Sequence, residues 1–354
     1  MIITTDKLRS LVEQICLQVG SEPESAAQVA SHLVEANLKG HDSHGVGMIP
    51  AYMHCFKQDL LKPTNHAKLV TDNGAVMVID GQCGYGQVVG QEAMTMGLER
   101  VKTTKVACIA LRNSFHLGRI GTYGERCAAA GYISLHFVNV VGHAPLAAPW
   151  GGRERRLSTN PVCCALPREG KEPVVLDMAT TAVAQGKVRV AWMKGSPVPD
   201  GSLTDHEGLP TNDPKVMFEE PFGALAPAGL HKGYALALIC ELLGGALAGN
   251  WTVQPGQPRE GKIVNNMLTV IIDPDALGNR DIFESEMQAV IDYMHSTTPA
   301  AGFDSVMVPG EPERKTMAER ERDGIPVDDN TWEQLLQTAR MTGMNDEDIE
   351  KIIQ

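Results

Sequence analysis

Gly40-His41-Asp42-Ser43-His44-Gly45 sets two imidazoles around a carboxylate and a hydroxyl. A histidine exchanges its proton near neutrality, and an adjacent Ser43 or Asp42 can orient and polarise it for acid/base work. The same spacing suits a loop that only makes local hydrogen bonds. A second concentration runs from Asn113 to Tyr123 and holds His116, Arg119 and a helix start near Gly121. It sits just past the carboxyl end of an expected strand, where open α/β sheets place ligands. A guanidinium beside a helix N-terminus is what a carboxylate or phosphate needs. The other reading is helix capping by Asn113 or Ser114 with Arg119 in solvent.

Polar groups also cluster at three further element ends, Ser158-Thr159-Asn160-Pro161, Asp177-Met178-Ala179-Thr180-Thr181 and His231-Lys232-Gly233-Tyr234. Lys232 at a helix N-terminus opposes the helix dipole unless an anion sits there. Arg153, Arg155 and Arg156 form the densest cationic run, read as a solvated loop or as a contact for a 2′-phosphate. Gly84-Tyr85-Gly86-Gln87-Val88-Val89-Gly90 imitates a dinucleotide fingerprint. Its third glycine falls one place late and no acidic residue follows at the ribose distance, so it reads as a glycine turn opening a helix.

The elements that position these groups are helical at both ends and β-rich in the middle. Thr5 can cap a helix with apolar positions Leu8, Leu11, Val12 and Ile15, and Ser21 to Glu24 makes a capping box with Pro23 in the first turn. Helices are expected near residues 49–61, 87–101 and 121–130, one opening at Met178, and a long one over 233–247. Strands are expected at 75–81, 106–111, 133–138, 162–166, 174–176 and 267–272, with a helical tail after Pro309. The division is a helical domain of residues 1–70 with 305–354 and a cofactor domain of 71–304.

Composition narrows the function. In 354 residues, 31 Lys+Arg face 43 Asp+Glu, a net charge of −12 with no basic block, which speaks against a nucleic-acid partner. Tyr234 to Gly249 is too short and too polar to span a bilayer, and the N-terminus has no signal-peptide pattern, so no membrane role and a cytoplasmic location are expected. None of the 8 cysteines forms a C-x-x-C pair, so no metal site is expected.

Taken in order, Gly40 to Gly45, Asn113 to Tyr123, Ser158 to Pro161, Asp177 to Thr180, Lys232-Gly233-Tyr234 and Pro309-Gly310-Glu311 resemble the malate/L-lactate dehydrogenase family of NAD(P)-dependent oxidoreductases, distinct from the Rossmann-type enzymes. Gly40 to Pro50 is most similar to the hydroxycarboxylate dehydrogenase B branch. The resemblance covers about residues 5–350 and implies an α/β, non-Rossmann, L-sulfolactate dehydrogenase-like fold with a largely antiparallel or mixed sheet, and a homodimer. It implies reversible hydride transfer between NAD or NADP and a 2-oxo or 2-hydroxy acid, or reduction of a cyclic imine. By residue, it makes His44 the proton donor with Ser43 polarising it, His116 a competitor for that role, and Asp177 a relay member or cofactor contact. Asn139, Thr159, Asn160, Asp177, Met178, Ala179, Lys232 and Gly233 would line the cofactor site. Many members carry arginine where this chain has Met48. A thioether cannot pair with a carboxylate, so Arg119 or another donor is expected to take the substrate carboxylate, or the pocket to be more apolar there, and Met48 to favour an apolar or aromatic tail.

Overall fold

The computed structural model describes residues 1–353. The helices are α1 (Thr5–Gln18), α2 (Pro23–Leu38), α3 (Ile49–Lys57), α4 (Gly86–Thr104), α5 (Gly121–Ala129), α6 (Gln185–Lys194), α7 (His231–Cys240), α8 (Arg280–His295), α9 (Glu311–Asp323), α10 (Asp329–Thr342) and α11 (Asp346–Ile353). The strands are β1 (Ile2–Ile3), β2 (Lys68–Asn73), β3 (Val76–Asp80), β4 (Val106–Phe115), β5 (Ile133–Val141), β6 (Val162–Leu166), β7 (Val174–Met178), β8 (Leu203–Thr204), β9 (Pro210–Thr211), β10 (Ala224–Leu225), β11 (Val264–Ile272) and β12 (Ile325–Pro326).

The helical spacing of Leu8, Leu11, Val12 and Ile15 turns one face of α1 inward. That face shares a hydrophobic cluster with Leu33 and Val34 of α2, Tyr52 of α3, and Leu335, Ala339 and Ile349 from the C-terminal helices. β1 pairs with β12 over the same cluster. The caps differ from expectation. Thr4 and Glu22 occupy the cap positions without side-chain cap bonds, while Ser21 is buried and donates to Tyr85 Oη at 3.5 Å.

Seven strands form the main sheet in the order β2-β3-β4-β11-β5-β6-β7. Only the β3–β4 pair is parallel; β11 lies antiparallel between β4 and β5. β4 runs further than expected, through Asn113 at φ +52° to Phe115, because its pairing with β11 resumes after a register shift between Met267 and Asn265 and continues as far as Val264. His116 therefore begins the turn, and the polar residues before it lie on the strand. Residues 71–304 hold two further hydrophobic clusters. One packs the sheet against α4 and α5 through Ile109, Leu111, Tyr123, Met267 and Ile271; the other joins α6 to the small sheet β10-β8-β9 through Leu157, Val188, Leu203 and Leu225.

Two helices start or continue differently from the sequence reading. β7 extends to Met178, so α6 opens only at Gln185. α7 starts at His231 and passes into a π-helix over Glu241–Gly249. By length and composition His231–Gly249 could cross a membrane, but it lies on the sheet. A Cβ at Gly244 would stand 2.8 Å from Asn139 N and Phe137 O, so glycine is what permits that contact.

Candidate active site

The His44 loop is tied down by groups that are not histidines. Asn37, in the last turn of α2, donates from Nδ2 to Asp42 Oδ1 at 2.7 Å and accepts from Val46 N at 2.8 Å. Arg320 of α9 grips Asp42 with contacts of 2.7 and 3.0 Å. Gly45 must be glycine, since a Cβ there would lie 2.1 Å from Asn37 Oδ1. Asp42 is thus spent on loop geometry. Ser43 is the residue that meets the imidazole, with Oγ 3.0 Å from His44 Nδ1.

His116 comes to the same place from the other side of the cleft. Its ring stacks on His44, centroids 5.5 Å apart and planes 21° from parallel. The Gly84 to Gly90 segment makes this possible. A Cβ at Gly86 would fall 2.2 Å from His116 O, and one at Gly90 would fall 2.6 Å from the Tyr123 ring, so these glycines seat α4 against the His116 turn. Tyr52 Oη lies 2.7 Å from His116 Nδ1 and accepts from Gln87 Nε2 at 2.8 Å. Beneath them Arg119 N donates to His32 Nε2 at 3.1 Å, and Gly118 at φ +74° lets the turn close over that ring. Burial, then the positive fields of His41 and Arg119, lowers His44 to about 4. Burial and the neighbouring His44 push His116 well below its ordinary value. Both rings are neutral at pH 7.

Arg119 departs from its expected role. Its side chain is 1% exposed and pairs with Glu125 through two N–H groups at 2.9 and 3.0 Å. Nε stands 3.5 Å from Asp177 Oδ2. Neither the solvated arginine nor the substrate carboxylate contact survives this geometry. The anion at the start of α5 belongs to the chain itself, because Gly121 N donates to Asp177 Oδ2 at 2.8 Å. Asp177 consequently makes no hydrogen bond to Ser43 or His44, and burial raises its carboxyl against the pull of Arg119. Burial alone would raise Glu125 too; Arg119 and Lys39 outweigh it and hold that carboxyl below its usual range.

Asn139 and Asn160, expected to line the cofactor site, are fully buried. Asn139 Nδ2 donates to Trp251 O at 3.0 Å and Glu241 Oε1 at 3.3 Å, while its Oδ1 accepts from Asn266 at 2.9 Å. Asn160 Nδ2 donates to Glu241 Oε2 at 2.8 Å, and Val253 N donates to Glu241 Oε1 at 2.7 Å. This network fixes the π-helix to β5 and β11, and its side-chain groups point at one another. Arg155 is likewise spent internally, donating to Gly223 O at 2.5 Å and lying over the Phe222 ring at 5.0 Å.

Of the remaining expected residues, Met178 and Ala179 line a groove of about 490 Å³ together with Thr181 to Ala184, Lys187, Pro197 to Pro199 and Ala228, while Thr159, Lys232 and Gly233 are not in its lining. Thr180 N and Oγ1 both donate to Thr159 O at 3.0 Å, which holds the groove wall. Gly233 brings the start of α7 against Thr180 and Ala228, where a Cβ would meet Ala228 O at 2.1 Å. Lys232 is exposed beside it. At the other end α6 touches the His44 loop, since a Cβ on Gly186 would lie 2.8 Å from Ser43 Cβ. A mostly apolar trough with Lys187 on its wall, carried by a helix that meets Ser43 at Gly186, is chemically suited to a nicotinamide ring followed by charged phosphates. Lys187, Tyr52, His32 and Glu241 belong to no motif, and Gln87 only to the glycine turn; each is an ordinary residue on a helix, made notable only by what the fold sets beside it. Among the described residues no three His, Cys, Asp or Glu side chains gather as a metal site requires.

The malate/L-lactate dehydrogenase family model matches residues 3–336. Hydroxycarboxylate dehydrogenase B of Escherichia coli is 44% identical over 349 residues, covering 98% of this chain and 96% of that protein. L-lactate dehydrogenase of Cupriavidus necator is 42% identical over 341 residues, covering 96% and 97%. The solved structure of a putative malate/lactate dehydrogenase from E. coli superposes with a TM-score of 0.94 at 43% identity, covering 99% of this chain and 98% of that one. The family model and these relatives, matched over nearly the whole chain, together with the mixed sheet shared with the solved structure, place the chain in the malate/L-lactate dehydrogenase family, as an oxidoreductase of 2-hydroxy and 2-oxo acids that uses a nicotinamide cofactor.

Proposed function

We propose that the preferred substrates are 2-oxo and 2-hydroxy acids with an apolar or aromatic tail, and that NAD or NADP lies in the groove between Met178 and Ala228. The observation that carries this reading is the Ser43–His44 pair opening beside Met48, a side chain packed against the hydrophobic cluster of the terminal helices. Met48 offers the substrate a dispersive contact and no charge. Bound in the groove, the nicotinamide ring would take or give the hydride at C4. Ser43 holds His44 through Nδ1 and leaves Nε2 free to take the proton of a substrate hydroxyl during oxidation and return it during reduction. A neutral His44 is the form ready to accept that proton, and an arriving carboxylate favours the imidazolium that results. Lys187 and Lys232, neither with an ion-pair partner among the described residues, serve the anionic groups of cofactor and substrate.

The test is a spectrophotometric panel crossing NADH and NADPH with 2-oxo acids of different tails. Phenylpyruvate should exceed oxaloacetate in kcat/KM by roughly tenfold or more, the size one pocket contact supplies. Oxaloacetate turned over far better would overturn the tail preference. The same reading makes the active form a homodimer joined through the exposed Leu238, Ile239, Leu242 and Leu247 along α7 and the π-helix. Light scattering should then give twice the 38.2 kDa chain mass.

A further inference from the structure

Each cleft imidazole has its Nδ1 on a hydroxyl, but the two hydroxyls differ in freedom. Ser43 Oγ, 3.0 Å from His44 Nδ1, sits on a partly accessible loop and can turn to donate or to accept, so His44 is accommodated with Nδ1 bare or protonated. Tyr52 is fully buried, with its ring edge-on to Phe115 at 5.2 Å and to His116 at 5.8 Å. Its Oη already receives an N–H from Gln87 at 2.8 Å. Gln87 in turn belongs to the first turn of α4, whose backbone O accepts from Gln28 at 2.8 Å. With one lone pair engaged, the phenol has its single proton left for His116 Nδ1, 2.7 Å away. Nδ1 is then bare, and a neutral imidazole must carry its proton on Nε2.

We propose that Tyr52 and Gln87 are positioning residues that lock His116 as the Nε2–H tautomer, making it a fixed hydrogen-bond donor to the substrate oxygen and leaving His44 as the group that exchanges the proton. For His116 to accept a proton at Nε2 it must first move its own to Nδ1. That would set two protons between Nδ1 and Tyr52 Oη, or turn the phenol proton toward Gln87, whose amide would have to give up its N–H contact and turn over to offer Oε1, a buried oxygen with no other partner. His44 meets no such obstacle. In the oxidation of a hydroxy acid the hydroxyl proton passes to His44 Nε2, the carbon–hydrogen bond breaks with its electron pair leaving as hydride to the cofactor, and the carbonyl forms. His116 keeps its proton throughout and hydrogen-bonds the same oxygen. The substrate part of this inference rests on the function proposed above; the tautomer does not.

Two-bond proton–nitrogen correlation spectra of the full chain labelled with ¹⁵N-histidine read the tautomer directly, with the His116 signals assigned by their loss in His116→Gln. The expected result is a protonated Nε2 and a bare Nδ1 that do not titrate between pH 8 and 6, changing to mixed tautomers in Tyr52→Phe, which keeps the ring and its packing. A protonated Nδ1 in the unmodified protein would overturn the lock. Kinetics tests the division of labour. His116→Gln retains an N–H donor and should keep roughly a tenth of kcat, while His116→Ala and His44→Gln each lose about 10²-fold or more. Tyr52→Phe should lower kcat more than it raises KM and add a second ionisation to the pH profile. If His116→Gln is as inactive as His44→Gln, His116 carries the proton and the proposal fails. A lock seen by resonance with no turnover of any 2-oxo acid would instead sink the functional reading alone.

Discussion

The stacked imidazole pair of His44 and His116 and the carboxyl of Glu241 are held in opposite ways. Both oxygens of Glu241 accept from Asn139, Asn160 and Val253, and every donor in the set is aimed inward. His44 and His116 are each held by one nitrogen and keep the other unbonded at the cleft. Polar groups of similar type thus divide by what remains unpaired after folding. A saturated cluster positions backbone, whereas a cluster with one free atom per ring can do chemistry.

Arg119 gives the largest way to break this division. The sequence reading grouped it with the cleft; its contacts group it with Glu241. Arg119→Met would leave Asp177 in the interior without its cation and Glu125 with Lys39 alone, and removing one partner of a buried pair costs about 3–5 kcal/mol. Urea unfolding should show that loss. A melt left unchanged, with KM raised for the oxo acid, would return Arg119 to the substrate site.

His44→Ala attacks the other side of the comparison. Turnover should fall by about 10²-fold or more while the urea midpoint hardly moves, because only one ring nitrogen of His44 is bonded within the protein. Glu241→Gln should do the reverse. An amide keeps one acceptor oxygen but puts an N–H₂ in place of the other, so at least one of the three donors loses its acceptor, at a cost of about 1–3 kcal/mol, with kcat per folded molecule preserved. A collapse of kcat in a fully folded Glu241→Gln protein would erase the distinction.

How far the sequence foretells this arrangement depends on the range of the contact. The Ser43–His44 pair is adjacent in the chain and legible in it, as is the apolar stripe of α1, since periodicity registers a buried face. Asn139 and Asn160 were recognisable as special residues but not as scaffolding, because their partner Glu241 lies far along the chain in a helix with no polar pattern. Arg119 misled for a related reason. A guanidinium beside a helix start does bind a carboxylate, and the carboxylate is Asp177, brought in by β7. The end of β4 escaped the reading because pairing with β11, not local propensity, carries it through Asn113. Tyr52 and Gln87 looked like core and turn residues, and nothing local marks a phenol that meets an imidazole 64 positions away.

The buried histidines sharpen the comparison through pH. Burial lowers His32 to about 3, and Arg119 N–H on its Nε2 leaves no site for a second ring proton. The folded value lies below the unfolded one, so between about pH 6.5 and 3 the unfolded chain binds a proton that the folded chain refuses. Stability from this group is complete above pH 6.5 and is lost as pH falls, by up to about 1.4 kcal/mol per pH unit. His32→Gln should flatten the urea-stability profile by that slope between pH 6 and 5. An unchanged slope would mean His32 titrates normally and that the turn above it is open to water.

Met48 supplies the smallest expected effect and the finest test of the cleft side. It follows the His44 loop directly and is half-buried against the terminal-helix cluster, so on the proposed function its remaining exposed part is what a substrate tail would meet. Met48→Arg keeps a long flexible stem that can lie on the same apolar surface while the guanidinium reaches toward the cleft. A second carboxylate on the substrate would then gain a charge-assisted partner, and an aromatic tail would lose a dispersive one. The ratio of kcat/KM for oxaloacetate to that for phenylpyruvate should rise by about tenfold, or ~1.4 kcal/mol, with little change in stability. The direction matters more than the size. Because Arg119 is already committed to Glu125, it is no rival for the carboxylate that an arginine at position 48 would meet, so a ratio that stayed constant would show that the tail never reaches this residue and that specificity is set from the Lys187 side of the groove.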